Sequence, residues 1–287
     1  SHPMSRRALA LILLLASPVA ARTPATLRVR FPTFEVAPGG NVESCTFVRL
    51  PLKGPFDLSS WEIRNRSARG GFVARHFLVY LYTGAEPQGF APGIVDSRAC
   101  LGLGPADRDQ RQLIASGAAV RNRGFYPPGV ALRLGPPPGV GIGLLLDAEW
   151  VNRTSHTRKA STVVLLRRAR RGSVRRVATP MLERSAELGL SVAPGTLTST
   201  EASTAATGAP VLSDAWRPAA DACVVSISGH MHKRGRFLGV DLLDADGVIA
   251  NPPGGARNPV ETGRTHFFGA FDYTDPGALI PASPLLV

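Results

Sequence analysis

Short apolar runs recur along the chain and predict a protein built from β-strands. Each run is rich in β-branched and aromatic residues and ends at Pro, Gly or polar turn residues; the runs cover residues 27–31, 45–50, 61–64, 77–82, 130–134, 142–150, 162–166, 223–228 and 237–243. A helical period is nearly absent. Strands at such spacing, separated by turn chemistry, are typical of antiparallel sandwiches and jelly rolls. We therefore expect an all-β fold without a long helix.

The run at 162–166 gives way to a dense arginine cluster, and we place the domain boundary there. The cluster consists of Arg167, Arg168, Arg170, Arg171, Arg175 and Arg176. A first domain, residues 23–170, then has the size of an ordinary sandwich, and residues 171–287 form a second domain. Residues 191–208 are rich in Ser, Thr, Ala and Gly and predict a loop or weak strands with exposed tips. Because the chain ends on the apolar residues 285–287, we expect the second domain to be incomplete at its C-terminus.

The N-terminus has the layout of a secretory signal peptide. Residues 1–3 precede Met4 and resemble a cloning remnant; Arg6 and Arg7 then lead into the apolar stretch 8–16, and small residues follow up to Ala21. That stretch is too short to span a bilayer, and no later segment predicts a transmembrane anchor. Residues 1–22 are thus interpreted as remnant plus signal peptide, and the mature protein is expected to be secreted or periplasmic. Export makes the three cysteines candidates for oxidation, with one left over.

The charge balance is strongly basic but does not by itself indicate a nucleic-acid ligand. The formal net charge is +12, and the 33 basic residues are nearly all arginine. Such a bias is typical of a GC-rich, bacterial genome. The arginine cluster at 167–176 suits an anionic partner, but in an exported chain without a nucleic-acid motif we interpret it as a solvated connector and expect no nucleic-acid partner.

The stretch GHMHKRG carries the clearest candidate chemistry. On a strand, His230 and His232 leave the same face about 7 Å apart at Cα, whereas on a helix the two rings point apart. Copper and zinc accept paired imidazoles but need a third ligand. His266 is the only later histidine, and no methionine follows Met231. The alternative, two ordinary strand histidines, stays open on spacing alone.

Each of the other polar candidates can be explained without a metal-binding or catalytic role. His76 stands before a strongly apolar strand, where a hydrogen bond to a carbonyl would account for it. His156 lies in a polar turn, and we expect it to be solvent-exposed. Asp147 and Glu149 share one face of a strand, where ion pairs with arginines would account for them. The chain lacks a Ser-His-Asp elbow, a phosphate loop, a dinucleotide glycine pattern and zinc-finger cysteine spacing.

The order of the segments resembles the copper type II, ascorbate-dependent monooxygenases, the family of peptidylglycine α-hydroxylating monooxygenase and dopamine β-monooxygenase. The resemblance rests on ESCTFVRLP (43–51), ARHFLVYLY (74–82), residues 128–152 and GHMHKRG, in that order. It implies two jelly-roll domains side by side and a disulfide between Cys45 and Cys100, which leaves Cys223 odd. It also implies an oxygen-activating copper held by His230, His232 and a methionine beyond Val287.

The resemblance is weakest at the family's second copper, which relays an electron from ascorbate. Arg75 and His76 stand where the family has a pair of histidines, and Glu149 replaces the third histidine of that site. Arginine stays charged and cannot ligate copper, and one histidine with one carboxylate is a poor site for Cu(I). We therefore expect His76 and Glu149 to mark a vestigial relay site.

Two functional hypotheses follow. The first is an exported copper-dependent monooxygenase that hydroxylates a C–H bond of a small-molecule or peptide substrate, with O₂ and an ascorbate-type reductant. The alternative is a non-catalytic, secreted double jelly-roll binding protein in which Arg75 and Glu149 pair where the relay copper is lost. A zinc hydrolase is a distant third, because the sequence offers no convincing general base.

Overall fold

The computed structural model describes much of the first half of the chain and short stretches of the second. The described residues are 25–50, 52, 54–82, 93–95, 111–135, 142–179, 221–229, 237–251, 256–257, 265–270, 278–281 and 285–286. Their regular structure consists of strands without a helix, so the all-β prediction is confirmed for this part of the chain. Among these residues, no helix has the length and apolarity that crossing a bilayer requires.

The first half contributes most of the strands. They are β1 (Thr26–Arg30), β2 (Phe34–Val36), β3 (Asn41–Leu50), β4 (Phe56–Asn65), β5 (Phe72–Tyr82), β6 (Gly93–Val95), β7 (Arg111–Ser116), β8 (Arg121–Phe125), β9 (Val130–Leu134), β10 (Ile142–Asn152), β11 (Arg158–Ala160), β12 (Thr162–Arg168) and β13 (Arg176–Ala178). The predicted arginine connector thus contains two strand segments, because Arg167 and Arg168 belong to β12 and Arg176 begins β13.

Two sheets and a small ribbon organise these strands. One sheet has the order β1-β12-β4-β9-β13, with β8 also paired to β4, and the other has the order β6-β3-β10-β5-β7. The ribbon pairs β2 with β11. The pairings are antiparallel except that β13 runs parallel to β9. An antiparallel arrangement allows short connections between neighbouring strands.

A single apolar cluster joins the facing sides of the two sheets. The six-stranded sheet contributes Leu27, Val29, Leu58, Ile63, Val164 and Leu166, and the five-stranded sheet contributes Phe77, Val79, Leu144, Leu146 and Trp150. Leu144, Leu146, Ala148 and Trp150 alternate along β10 and are fully buried. Because side chains alternate between faces, Leu145, Asp147 and Glu149 leave β10 on the opposite side. This alternation positions the charged site described below.

Short strands make up the described second half. They are β14 (Cys223–Val224), β15 (Ile227–Ser228), β16 (Leu238–Val240), β17 (Ala256–Arg257), β18 (Thr265–His266), β19 (Phe268–Ala270), β20 (Ala278–Leu279) and β21 (Leu285–Leu286), paired two by two. Phe268 and Ala270 form a small buried cluster against Ile227, Leu238, Val240 and Leu279. These pairs extend the all-β character to the second half.

The outer face of the six-stranded sheet carries a buried carboxylate surrounded by arginines. The Glu62 side chain is fully buried and accepts bonds from Arg64 (Nε, 2.7 Å), Arg121 (Nε) and Arg167 (Nη2, 3.0 Å). The bond from Arg64 is the largest influence and lowers the pKa of Glu62 to about 2; burial opposes the shift, and Arg167 and Arg121 reinforce it. The network joins β4, β8 and β12, so it fastens three strands of the sheet together.

Replacing Glu62 should make the protein less stable at neutral pH and less sensitive to acid. A carboxyl group whose pKa is about 2 when folded and about 4.3 when unfolded stabilises the fold above about pH 4.3 and loses that contribution as the pH falls towards 2. Glu62→Gln should therefore lower the free energy of unfolding at pH 7 and flatten its fall between about pH 4.5 and pH 2. Urea unfolding at a series of pH values measures both effects.

The matched control for this prediction is Glu35→Gln. Glu35 lies 3.6 Å from Lys159, and both side chains are well exposed, so this substitution should change stability little at any pH. An unchanged acid dependence in Glu62→Gln would contradict the role assigned to the network.

Candidate metal centre

Three neighbouring strands bring charged side chains together on the far face of the five-stranded sheet. In the register, Glu149 of β10 lies opposite Glu43 of β3 on one side and opposite His76 of β5 on the other. Asp147 is two residues earlier on β10 and shares the face with Glu149. The same face continues into the apolar cluster of Cys45, Phe47, Leu78, Tyr80, Tyr82 and Leu145. A group of carboxylates and an imidazole is thus built into an otherwise apolar surface.

A β-bulge explains how two consecutive residues reach the same carboxylate. The register of β10 against β5 passes from Glu149 opposite His76 to Trp150 opposite Ala74, so Arg75 is the extra residue on β5. In a regular strand, Arg75 and His76 would point to opposite faces, but a bulge bends the strand and re-aims a side chain. Accordingly, Arg75 Nη1 lies 3.0 Å from Glu149 Oε1, and His76 Nδ1 lies 3.4 Å from Glu149 Oε2.

The spacing around His76 matches shared ligation of an ion better than hydrogen bonding. His76 Nε2 lies 3.5 Å from Asp147 Oδ1 and 3.6 Å from Glu43 Oε1, whereas charge-assisted hydrogen bonds measure about 2.7–2.9 Å. Two ligand atoms about 2.1 Å from one tetrahedral ion lie roughly 3.4 Å apart. One ligand atom from each of Glu43, His76 and Asp147 falls within 4.8 Å of the others. The three side chains could therefore serve as ligands of one cation.

Asp147 is the least satisfied member of the group. It is fully buried, and within the described part of the chain neither carboxylate oxygen has a hydrogen-bond partner; Glu43 Oε1 is also buried without one there. Burial raises the pKa of Asp147, and His76 opposes that shift. A buried carboxylate without hydrogen bonds is costly unless a cation or a proton neutralises it.

The same surroundings favour the charged form of His76, whereas they disfavour the charged form of Asp147. Burial alone would lower the pKa of its imidazole, but Asp147 and Glu43, followed by Glu149, outweigh burial and raise it to about 10. The imidazole therefore provides positive charge to the carboxylates when no metal ion is bound. A bound divalent ion would take over that role, because histidine ligates metals as the neutral ring.

Arg75 and Glu149 form the outer side of the cluster. Their side chains are 10% and 17% exposed. Burial alone would raise the pKa of Glu149, but bonds from Arg75 and Asn41 together with the charge of His76 lower it. Glu149 is therefore a carboxylate already paired with a permanent cation. Since the guanidinium cannot ligate a metal, this side of the cluster orients the ligands and balances charge.

The structure brings together His76 and Glu149, which the sequence assigned to a vestigial relay site. It adds Glu43 and Asp147, which the sequence interpretation did not assign to a metal. The available signal was Asp147-Ala-Glu149 inside an apolar run, since carboxylates alternating on a buried strand need a partner on the same face. Glu43 had no such signal, because its relation to His76 depends on which strands are neighbours.

Several predicted residues lie outside the described part of the chain. His230 and His232 are among them, so their shared ligation of copper stays a prediction. Cys45 is fully buried and disulfide-bonded, but Cys100 is outside the described residues, and its pairing with Cys45 stays a prediction as well. Cys223 is a free, exposed thiol. His156 is exposed, as predicted.

A second histidine and carboxylate pair lies in the second half. His266 Nδ1 is 2.9 Å from Asp241 Oδ1, while the buried Nε2 has no hydrogen-bond partner among the residues that the structure describes. The ring is 4% exposed and packs against Phe237, with centroids 4.9 Å apart. A carboxylate on one ring nitrogen fixes the tautomer in which the other nitrogen is a lone-pair donor, as in many metal-ligating histidines.

Comparison with protein-family models and with curated proteins gave no match. The resemblance to the copper monooxygenases therefore rests on the sequence motifs alone.

Proposed function

We propose that the protein is an exported, metal-binding protein of two β-sandwich domains, and that its first domain holds a divalent cation at Glu43, His76 and Asp147 instead of relaying electrons through copper. The observation that carries the proposal is the position of His76 Nε2, at 3.5 Å and 3.6 Å from two buried carboxylate oxygens that lack hydrogen bonds. The jelly-roll topology of both domains belongs to the proposal, and the two packed sheets of the first half support it.

The ligand chemistry favours zinc over a copper relay. One imidazole and two carboxylates are borderline to hard ligands, which suit Zn²⁺ or Mn²⁺, whereas Cu(I) prefers softer donors. An electron relay needs a site that holds both copper oxidation states. The separation of about 3.5 Å between ligand atoms further matches the tetrahedral geometry of zinc rather than an octahedral site.

Charge balance supports the same assignment. Asp147, Glu43 and Glu149 bring three negative charges, and Arg75 offsets one of them. A divalent ion with a neutral His76 offsets the remaining two, which leaves the buried group neutral. Because Glu149 is already paired with Arg75, it is not available as a catalytic base. The proposed site is therefore a binding or structural metal site.

Zinc should stabilise the protein through this site. A ligand at 100 times its Kd stabilises the folded state by about 2.7 kcal/mol, which for a domain of about 150 residues raises Tm by roughly 5–10 °C. Wild type should show this shift in a thermal melt with Zn²⁺ and none with Mg²⁺. In Glu43→Gln, which alters a partly exposed ligand, the shift should fall to about 3–5 °C or less, since tenfold weaker binding leaves about 1.4 kcal/mol of stabilisation.

Glu35→Gln is the matched control, because it neutralises an exposed carboxylate that lies on the β2–β11 ribbon and should retain the full zinc shift. A zinc shift that is equal in Glu43→Gln and wild type, or tighter binding of Cu(I) than of Zn²⁺ by the first domain's site, would contradict the proposal.

The second candidate is the copper-dependent monooxygenase, and His266 favours it. The buried, unpartnered Nε2 of His266, oriented by Asp241, is a suitable third donor for a copper held by His230 and His232, in place of a methionine. When bound, copper would supply the oxygen chemistry; the chain's residues would hold it and, through Asp241, keep His266 in the ligating tautomer. Hydroxylation of a C–H bond with an ascorbate-type reductant is the activity this candidate implies.

Copper titration followed by EPR tests this candidate. Stoichiometric Cu(II) should give a type 2 spectrum with imidazole nitrogen couplings, which His230→Ala and His266→Ala should each weaken by removing a donor nitrogen. His156→Ala, at an exposed histidine, is the control and should leave the spectrum unchanged. Absence of stoichiometric uptake would remove the copper candidate, whereas the zinc proposal for the first domain would stand.

A further inference from the structure

The outer face of the six-stranded sheet is an ordered array of arginines. The register gives three rows across β1, β12, β4 and β8, and residues that pair directly share a face. The rows are Arg28-Leu165-Glu62-Arg123, Arg30-Val163-Arg64-Arg121 and Thr26-Arg167-Ser60-Phe125. With strands about 4.8 Å apart, the array spans roughly 14 Å in each direction. We call it the basic face.

The basic face carries six guanidinium groups and one carboxylate, and most of it is accessible. Arg28 and Arg30 are exposed, and the side chains of Arg64, Arg121, Arg123 and Arg167 are 35%, 50%, 57% and 41% exposed. The buried Glu62 is the carboxylate. The face therefore has a large excess of positive charge that points to solvent.

Glu62 orders these arginines without using all their donors. It contacts Arg64, Arg121 and Arg123 through their Nε atoms, and within the described residues no hydrogen bond involves the terminal nitrogens of these three side chains. A guanidinium bound on its Nε side retains terminal N–H groups that suit phosphate oxygens. The carboxylate thus holds several guanidinium groups close together with donors still available.

Glu62 fastens the strands, but this single carboxylate neutralises only one of the array's six positive charges. Arg64 and Arg121 are direct cross-strand partners, and like charges opposite each other destabilise a sheet. An anionic partner that covers the face would relieve this repulsion. The positive charge that Glu62 does not balance therefore points to an anionic partner.

Two exposed apolar side chains border the same strand, β8. Phe125 occupies a corner of the basic face and is 59% exposed, and Val120, next to Arg121, is 58% exposed. Basic residues beside exposed aromatic and aliphatic side chains are typical of proteins that lie on anionic lipid surfaces, where the apolar groups enter the interface. Nucleic-acid strands are instead bound in basic grooves with several aromatic platforms, and the basic face carries a single aromatic side chain.

We propose that the basic face binds the anionic surface of a lipid membrane, with the arginines on lipid phosphates and Phe125 in the interface. The proposal is independent of the proposed metal site at Glu43, His76 and Asp147, because that site lies on the other sheet.

The test is sedimentation of the whole chain with vesicles of equal parts phosphatidylglycerol and phosphatidylcholine, compared with pure phosphatidylcholine. Wild type should partition onto the anionic vesicles only, and less so as salt increases. R28Q/R123Q should lower partitioning about 25-fold, since each basic residue contributes roughly fivefold at such a surface. Phe125→Ala should lower it further by removing the apolar contact.

R153Q/K159Q is the matched control, because it removes two exposed charges outside the basic face, one just after β10 and one on β11, and should lower partitioning less than about threefold. Circular dichroism shows that each variant is folded. The proposal is overturned if wild type does not bind anionic vesicles, or if the control lowers partitioning as much as R28Q/R123Q does. It is also overturned if a single-stranded oligonucleotide binds more tightly than the vesicles and R28Q/R123Q weakens that binding to the same extent.

Discussion

The burial of both faces of β10 is the constraint on which the rest of the structure depends. One face supplies Leu144, Leu146 and Trp150 to the main core, and the other places Asp147 and Glu149 among apolar neighbours. An ionised carboxylate is tolerated there only if positive charge is close by. His76, Arg75 and a proposed cation answer that requirement, so the chemistry of the site follows from the position of one strand.

The bulge at Arg75 determines which chemistry is possible. Without it, Arg75 and His76 would leave β5 on opposite faces, and the pair would not share Glu149. With it, Glu149 is paired with a permanent cation, and the remaining oxygen donors face Nε2 of His76. The vestigial relay interpretation named His76 and Glu149, whereas the side chains whose potential ligand atoms lie within 4.8 Å of one another are Glu43, His76 and Asp147.

The strand pattern could be predicted where strands are apolar and not where their inward side chains are small. The runs at 130–134 and 142–150 correspond to β9 and β10, whereas β8 has no apolar run. Its inward positions are Asn122 and Gly124, and the ring of Trp61 occupies the space there, so a Cβ on Gly124 would overlap the ring. The register that joins Glu43 to His76 could not be predicted either, because it depends on which strands become neighbours in space.

The parallel pairing of β13 with β9 has a consequence for how the first sandwich can be isolated. β13 covers one side of β9, whose backbone amide and carbonyl groups would otherwise form an open edge. A fragment that stops at residue 170 leaves that edge bare and open to pairing with other chains, whereas one that extends past Ala178 keeps its own protective strand.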